Sequence, residues 1–482
     1  MNEEIRNLEP KNVWNNFADL NAVPRPSKKE ERVRQFMVDF GNNLNLDTQV
    51  DPVGNVIIKK PASSGMENRK KVVLQSHLDM VCQKNNDTEF DFDTQGIIMY
   101  VDGDWVKAKG TTLGADNGLG VASIMSILES DSIKHPAIEA LFTIDEETGM
   151  TGAIGLQAGY LDGEILLNLD TEDDDEIGVG CAGGIDITAT KNYDLQEVTS
   201  KVHAYKITVK GLQGGHSGMD IHKGFGNANK LMNRILYALK DEILIAEIDG
   251  GSLRNAIPRE SNAIFICENQ DKMGEIYNTI STELKNEYLS IEKDITIQLE
   301  EVDSPKNTIS KSEQEIVLKT IYGVHNGVFR MSPDIADLVE TSNNTARIIV
   351  KDGAIKIGCL TRSSVESGKM DLAYHISSGF ELGGFDVELS GTYPGWKPNP
   401  DSAILKVMSK IYENRFKEKA NILACHAGLE CGILGTNYPD MDMISFGPNI
   451  RGAHSPDERA SISSTQKYWG FLLEVLENIP VK

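Results

Sequence analysis

The sequence predicts an α/β fold in which a domain on a mainly parallel sheet is interrupted by an α+β lid. Three observations carry this. Apolar strands alternate with amphipathic helical stretches over roughly the first 140 residues, the pattern changes from about Lys201, and it resumes near the end. The expected parts are 1–186 and 387–482 for the interrupted domain and 187–386 for the lid. A chain of 482 residues is also too long for one ordinary core.

In the first part, Glu30–Phe40 reads as a helix, Val53–Lys59 as a strand, and Lys70–Val81 as a buried strand running into a turn. Leu119–Glu129 is a helix opened by a Gly-rich loop, and Ile138–Ile144 and Glu164–Leu169 are further strands. From about Lys201 the pattern becomes short and alternating. Tyr205–Lys210 reads as a strand with one wet face, followed by a Gly-rich turn and a helix through Asn227–Leu239. Asn262–Cys267, Ile295–Leu299, Ala346–Val350 and Ile355–Cys359 add strands, with a helix around Met273–Leu289. An insertion of about two hundred residues is domain-sized. After the turn-rich GTYPGWKPNPDS, helix Ala403–Phe416 and strand Met441–Phe446 return the chain to the first domain. No repeat of short fixed period is visible.

Charge and composition narrow the function. The net charge is −24, from 72 acidic against 48 basic residues, and no basic patch stands out, which argues against a nucleic-acid partner. No run has the length of a membrane span, and the start MNEEIRNLEPKN has Glu where a signal peptide has Lys or Arg. The six Cys are scattered, as in a reducing compartment, so the expectation is a cytoplasmic protein with no membrane partner.

Acids and histidines gather at the C-terminal ends of the predicted strands: His77 with Asp79, Asp145 to Glu147, Asp170, and His454 in the loop after the last strand. In open parallel sheets that edge is where ligands bind. Taken singly each cluster is weak, since roughly one H-x-[DE] arises from composition alone. A lone His77 reads better as a core histidine. The inference rests on all four sites ending strands of one sheet. Asp79, two residues past His77, is placed either to hold the second imidazole nitrogen of a metal-bound histidine or to support the metal cluster from beneath. Asp116 sits in GADNG, where flanking glycines let the backbone present a carboxylate to two cations. A phosphate cradle is rejected there, because the spacing fits neither glycine motif and the Asp repels phosphate. Of the adjacent Glu146 and Glu147, one can bind metal while the other takes a proton from a metal-activated water. A helix N-terminus that favours acids competes for one of the pair. The run EDDDE at 172–176 reads as a solvated loop.

The segments SHLDMV, GADNGLG, TIDEETG, LNLDTED, GGHSG and AHSPDE, in this order, resemble the co-catalytic zinc exopeptidases, the family of aminoacylases, carnosinases and aminoacyl-histidine dipeptidases. They run from His77 to His454 and are most similar to the bacterial aminoacyl-histidine dipeptidase branch. The resemblance implies a zinc-exopeptidase-like domain with two Zn2+ per subunit, Co2+ or Mn2+ being alternatives. His77 and Asp170 would hold one metal, Glu147 and His454 the other, and Asp116 would bridge. Glu146 would be the general base and Asp79 would orient His77. A cis peptide after Asp116 is a further family expectation.

In the lid, His216 resembles the family histidine that steadies the developing oxyanion. Asn255 and Arg362 are candidates for the substrate's carboxylate, with a structural role for each weighed equally. His426 in HAGLECG is expected to serve a substrate loop or packing. The implied activity is hydrolysis of unblocked dipeptides of Xaa-His type, with small peptides as substrates and a homodimer as the assembly. An N-acyl amino acid deacylase or tripeptide aminopeptidase on the same scaffold is the nearest alternative, and a non-catalytic metal-binding protein the more distant one. The remaining histidines (135, 203, 222, 325, 375) are assigned no chemistry, and the four tryptophans are expected to pack.

Overall fold

Buried apolar runs set the principal strands. In a computed structural model, residues 2–199, 202–426 and 428–482 are described. In chain order the strands used below are β1 (Asp47–Val50), β2 (Val56–Lys60), β3 (Val72–His77), β4 (Ile138–Thr143), β5 (Ile165–Asn168), β6 (Glu176–Cys181), β7 (Gly183–Asn192) and β8 (His203–Lys210). They continue with β9 (Ile243–Gly251), β10 (Ser261–Cys267), β11 (Thr296–Glu301), β12 (Val339–Lys351), β13 (Ala354–Ser363), β14 (Asp386–Tyr393), β15 (Asn421–Cys425) and β16 (Asp442–Ser445). The helices used below are α1 (Lys11–Leu20), α2 (Glu31–Asn43), α3 (Ala115–Glu129), α4 (Glu146–Gly149), α5 (Ala228–Leu239), α6 (Gln270–Tyr288), α7 (Lys311–Gly323), α8 (Glu366–Leu382), α9 (Ala403–Phe416), α10 (Glu430–Asn437) and α11 (Ile462–Glu477).

Two units result. The first comprises Met1–Gly180, Pro398–Ala424 and Leu429–Lys482, the second Cys181–Lys397 and Cys425–Gly428. The second unit thus starts before residue 187 and extends past 386, because β7 and β14 pair with each other and belong to its sheet. It also takes in the four residues Cys425–Gly428, far along the chain.

The first unit is built on an eight-stranded sheet in the order β1-β2-β4-β3-β5-β16-β6-β15. Its centre, β4-β3-β5-β16, is parallel, while β1/β2, β2/β4 and β16/β6 are antiparallel. Every residue of β3, β4 and β5 is buried, which is why these segments read as apolar runs without alternation. From β3 the chain moves to β4 on one side and then to β5 on the other. That reversal is the topological switch at which open α/β sheets open a crevice beyond their carboxyl ends.

The second unit holds a nine-stranded antiparallel sheet whose main path is β11-β8-β10-β9-β12-β13-β7-β14, with Gly327–Met331 paired to β12. Two copies of one motif compose it. The succession β8-α5-β9-β10-α6-β11 is a βαββαβ unit with its strands in the order 4-1-3-2. The succession β7-α7-β12-β13-α8-β14 has the same order, with the first copy inserted after its opening strand. The copies meet where β9 pairs antiparallel with β12, Ile248 against Val350. Both β9 and β12 carry a bulge against the following strand, at Ile245/Glu247 and at Thr345/Arg347. One core serves both, drawing Ile187 and Ile207 from the sheet and Leu231, Leu284, Leu318 and Leu372 from the helices.

Candidate metal centre and anion cluster

At the switch point of the first unit, His77 ends β3 and Glu146 and Glu147 open α4 just past β4. Asp170 lies two residues beyond β5. Asp116 sits at the head of α3, where the backbone of Asp116 and Asn117 is not helical and the peptide joining them is cis, as the family resemblance implies. His454 enters from the segment after β16 with φ 63°.

The five expected ligands come together. His77 Nε2 lies 3.1 Å from Asp116 Oδ1 and 3.6 Å from Asp170 Oδ1. His454 Nε2 lies 3.2 Å from Asp116 Oδ2 and 3.1 Å from Glu147 Oε2. Two triads therefore share one carboxylate: His77, Asp116 and Asp170 on one side, Asp116, Glu147 and His454 on the other. Within each, the ligating atoms lie within 4.8 Å of one another. The buried Oε1 of Glu147 has no hydrogen-bond partner among the described residues. Nitrogen and oxygen donors without sulfur, on opposite oxygens of a shared carboxylate, fit two divalent ions such as zinc, cobalt or manganese.

Electrostatics point the same way. Burial opposes charge on His77, but Asp170, Asp116 and Asp79 outweigh it and raise its pKa well above the usual imidazole value. Hydrogen bonds to Asp116 and Glu147 push His454 up to about 11. Burial resists ionisation of Asp116, yet bonding to His454 and His77 holds its carboxyl below the ordinary range. Burial pushes Asp170 well up, against the attraction of His77. For Glu146, burial with Glu430, Glu147 and Asp116 nearby raises the pKa to about 8. A centre with this many crowded acids is satisfied by cations.

Asp79 is fully buried. Its Oδ1 stands 3.4 Å from His77 Nδ1, and its two oxygens accept the backbone N–H groups of Glu146 and Glu147 at 3.0 and 3.2 Å. Asp79 thereby serves both sides: its backbone carbonyl accepts from His77 Nδ1 at 3.2 Å, and its carboxylate fixes the turn that carries the two glutamates. Glu30 and Asp145 lie close to it, but their oxygens take backbone and threonine donors, so this is a hydrogen-bonded hub.

A polar row runs under the ligands. Asn168 donates to Gln75, Ser445 donates to Asn168, and Gln75 and Thr143 donate to one oxygen of Glu430 at 2.6 and 2.7 Å. Four strands are thus tied side to side just before their ligand-bearing ends. Glu430 and Glu458 are both 2% exposed, and sequence reasoning singled out neither. They lie hundreds of residues from their partners, and neither the side-chain donors on Glu430 nor the backbone amides on Glu458 leave a local signature. The EDDDE run also departs from expectation: Asp173 pairs with Arg451 and Asp174 with Lys467 at 2.7 Å. Burial beside Asp116 pushes Glu172 up to about 7.

In the second unit, His216 has its Nδ1 accepting the N–H groups of Gly218 and Met219 at 3.2 and 3.1 Å. That fixes a neutral ring with its proton on Nε2. Burial, then the positive charge of Arg362, lowers its pKa. Arg362 is buried on β13, donates to the Tyr393 hydroxyl at 2.7 Å, and keeps a buried Nε–H without a partner among the described residues. His426 lies in the same electrostatic neighbourhood, 2.8 Å from Ser342 Oγ, and burial followed by Arg362 pushes it down to about 3. Asn255 is exposed, and its backbone carbonyl accepts the Ser217 N–H at 2.7 Å. The Arg362 guanidinium already feels the carboxylate of Asp186, and its unused Nε–H can take a further acceptor.

The first unit's site is that of a metal-dependent hydrolase. The chain belongs to peptidase family M20/M25/M40, whose sequence profile matches residues 73–478. It is 43% identical to the cytosol non-specific dipeptidase of Escherichia coli over 99% of this chain and 100% of that protein. The solved aminoacylhistidine dipeptidase of Vibrio alginolyticus is 46% identical and superposes with a TM-score of 0.95, covering 100% of this chain and 99% of the other. A Staphylococcus aureus tripeptidase shares the fold at 17% identity and a TM-score of 0.56, with 98% and 99% of the two chains covered. No helix among the described residues is long and apolar enough to cross a membrane.

Proposed function

We propose that this chain is a dipeptidase acting on free dipeptides, those with C-terminal histidine among them, with two zinc ions held by His77, Asp116, Glu147, Asp170 and His454. The observation that carries the proposal is the single carboxylate of Asp116 facing an imidazole on each of its oxygens. Full-length similarity to two proteins named as dipeptidases supports the choice of dipeptides over longer substrates. The cytosolic name of the Escherichia coli relative supports a cytoplasmic setting.

Bound cations would polarise the scissile carbonyl and make a water nucleophilic near neutral pH. Glu146 takes the proton of the attacking water as the new C–O bond forms, then gives it to the amine as the C–N bond breaks. Burial, with Glu430, Glu147 and Asp116 nearby, favours the protonated form of Glu146, the form that delivers the proton to the amine. Asp79 keeps His77 and the Glu146–Glu147 turn in register throughout. In the second unit, the Nε2–H of His216 is the donor assigned to the developing oxyanion, and Arg362 the partner assigned to the substrate carboxylate. Asn255 is assigned to the same carboxylate.

The test is hydrolysis of β-Ala-His and a panel of free and N-acetylated dipeptides by zinc-loaded wild type and Glu146→Ala. Cleavage of free dipeptides, lost in Glu146→Ala with metal retained, supports the proposal. Turnover of acetylated substrates alone moves the function to deacylation, and no turnover by protein holding two metals moves it to metal binding.

A further inference from the structure

The loop that delivers Asp116 is gripped from two directions by groups outside the ligand set. Four consecutive backbone N–H groups converge on one buried carboxylate, that of Glu458. Leu113 and Gly114 donate to its Oε2 at 2.7 and 2.9 Å, Ala115 and Asp116 to its Oε1 at 2.7 and 3.3 Å. Successive amides that curl around an anion form a nest whose shape depends on the anion. The carbonyl of Gly114 meanwhile accepts from Nη2 of Arg25, which is fully buried and whose Nη1 donates to the carbonyls of Leu78 and Asp79 at 3.1 and 2.9 Å. Arg25 therefore ties the Asp116 loop to the exit of β3 that bears His77.

The fit is tight. Gly114 has φ 69°, and a Cβ there would lie 2.4 Å from Arg25 Nη2. Glu458 also follows His454 by four residues, so one short segment holds Asp116 twice, by the imidazole at its side chain and by the carboxylate at its backbone.

We infer that Glu458, with Arg25 as its counterpart, is a positioning residue that sets where the Asp116 carboxylate stands between the two cation sites. The inference rests on Asp116 being the shared ligand. A carboxylate offers the four amides acceptors only, whereas a carboxamide turns an N–H2 towards two of them. Glu458→Gln thus releases one edge of the loop without changing the size of the side chain.

The experiment compares full-length wild type, Glu458→Gln, Glu458→Asp and Asp116→Ala, each titrated with cobalt(II) and read by affinity, by electron paramagnetic resonance of the ion pair, and by kcat and KM. Loss of an outer partner of a metal ligand costs roughly 10- to 100-fold in metal affinity. Glu458→Gln is expected to weaken cobalt binding by that factor, to lose the coupling between the ions, and to lower kcat with KM held. Glu458→Asp should recover part of each, and it carries the same readouts if the Gln variant does not fold. Wild-type cobalt affinity and coupling in the Glu458 variants, with only thermal stability reduced, overturns the inference while leaving Asp116 as the bridge. If Asp116→Ala itself binds two coupled ions like wild type, the bridging assignment falls and takes this inference with it.

Discussion

The sheet edge of the first unit and the His216–Arg362 cluster of the second are both half-buried polar assemblies, but they are short of opposite charges. At the sheet edge, burial and crowding raise acids: Glu146 to about 8, Glu430 and Glu458 to about 7, Asp170 well above its usual range. In the second cluster, burial and Arg362 lower the histidines, His426 to about 3. The first assembly gains from added cations, the second from an added anion.

The contrast is broken most severely at the proton carrier. Glu146→Gln is expected to lower kcat by about a thousandfold, within the usual range for a general acid–base group, with both metals retained. Metal analysis alongside kinetics checks this; loss of metal with loss of activity would make Glu146 a ligand.

Removing metal with a chelator should act on the first unit alone. Turnover stops, and hydrogen exchange quickens at residues 77–79, 113–117 and 146–147 while residues 216–219 keep their protection. At a thousandfold excess over its Kd, each bound ion contributes about 4 kcal/mol of stability. Equal deprotection of both segments would refute the separation.

Arg362→Lys probes the anion side. Exchanging a guanidinium for an ammonium at a carboxylate is expected to raise KM roughly 10- to 100-fold with kcat largely kept. Steady-state kinetics on a free dipeptide and its C-terminal amide decide it. An amide that suffers as much as the acid would assign Arg362 to the fold.

A further test is one of pH. His426 has a folded pKa depressed to about 3 against 6.5 in the unfolded chain, so the unfolded state binds the extra proton between those values. Stability is therefore full above about pH 6.5 and declines as pH falls towards 3, by about 1.4 kcal/mol per unit. His426→Asn should flatten that part of a denaturation-against-pH curve. An unchanged slope would show that His426 is not the group that titrates.

Much of this was legible from local pattern. The buried runs at Val72–His77, Ile138–Thr143 and Ile165–Asn168 announce strands because a sheet covered on both faces selects apolar residues without alternation. Residues just past such runs share one edge, so His77, Glu146, Glu147, Asp170 and His454 were available as a set, with Asp116 joined to them by its Gly-rich motif. The internal duplication of the second unit was not legible. Its copies share an order of strands and helices, and the second copy is split by the first.

By itself, then, the sequence determined the buried central strands, the side chains at their carboxyl ends and the sign of the surface charge, but not strands such as Gly183–Asn192, Ile243–Gly251 and Asp386–Tyr393. What it determined depends on neighbours within a few residues. Only the tertiary structure decided that Asp116 faces two histidines 39 and 338 residues away, that Glu458 holds four amides of its loop, and that Arg25 joins that loop to β3. Those are bonds to backbone groups and to distant side chains. Every residue type offers the same amide and carbonyl, so nothing in the sequence of the partner marks where such bonds will form.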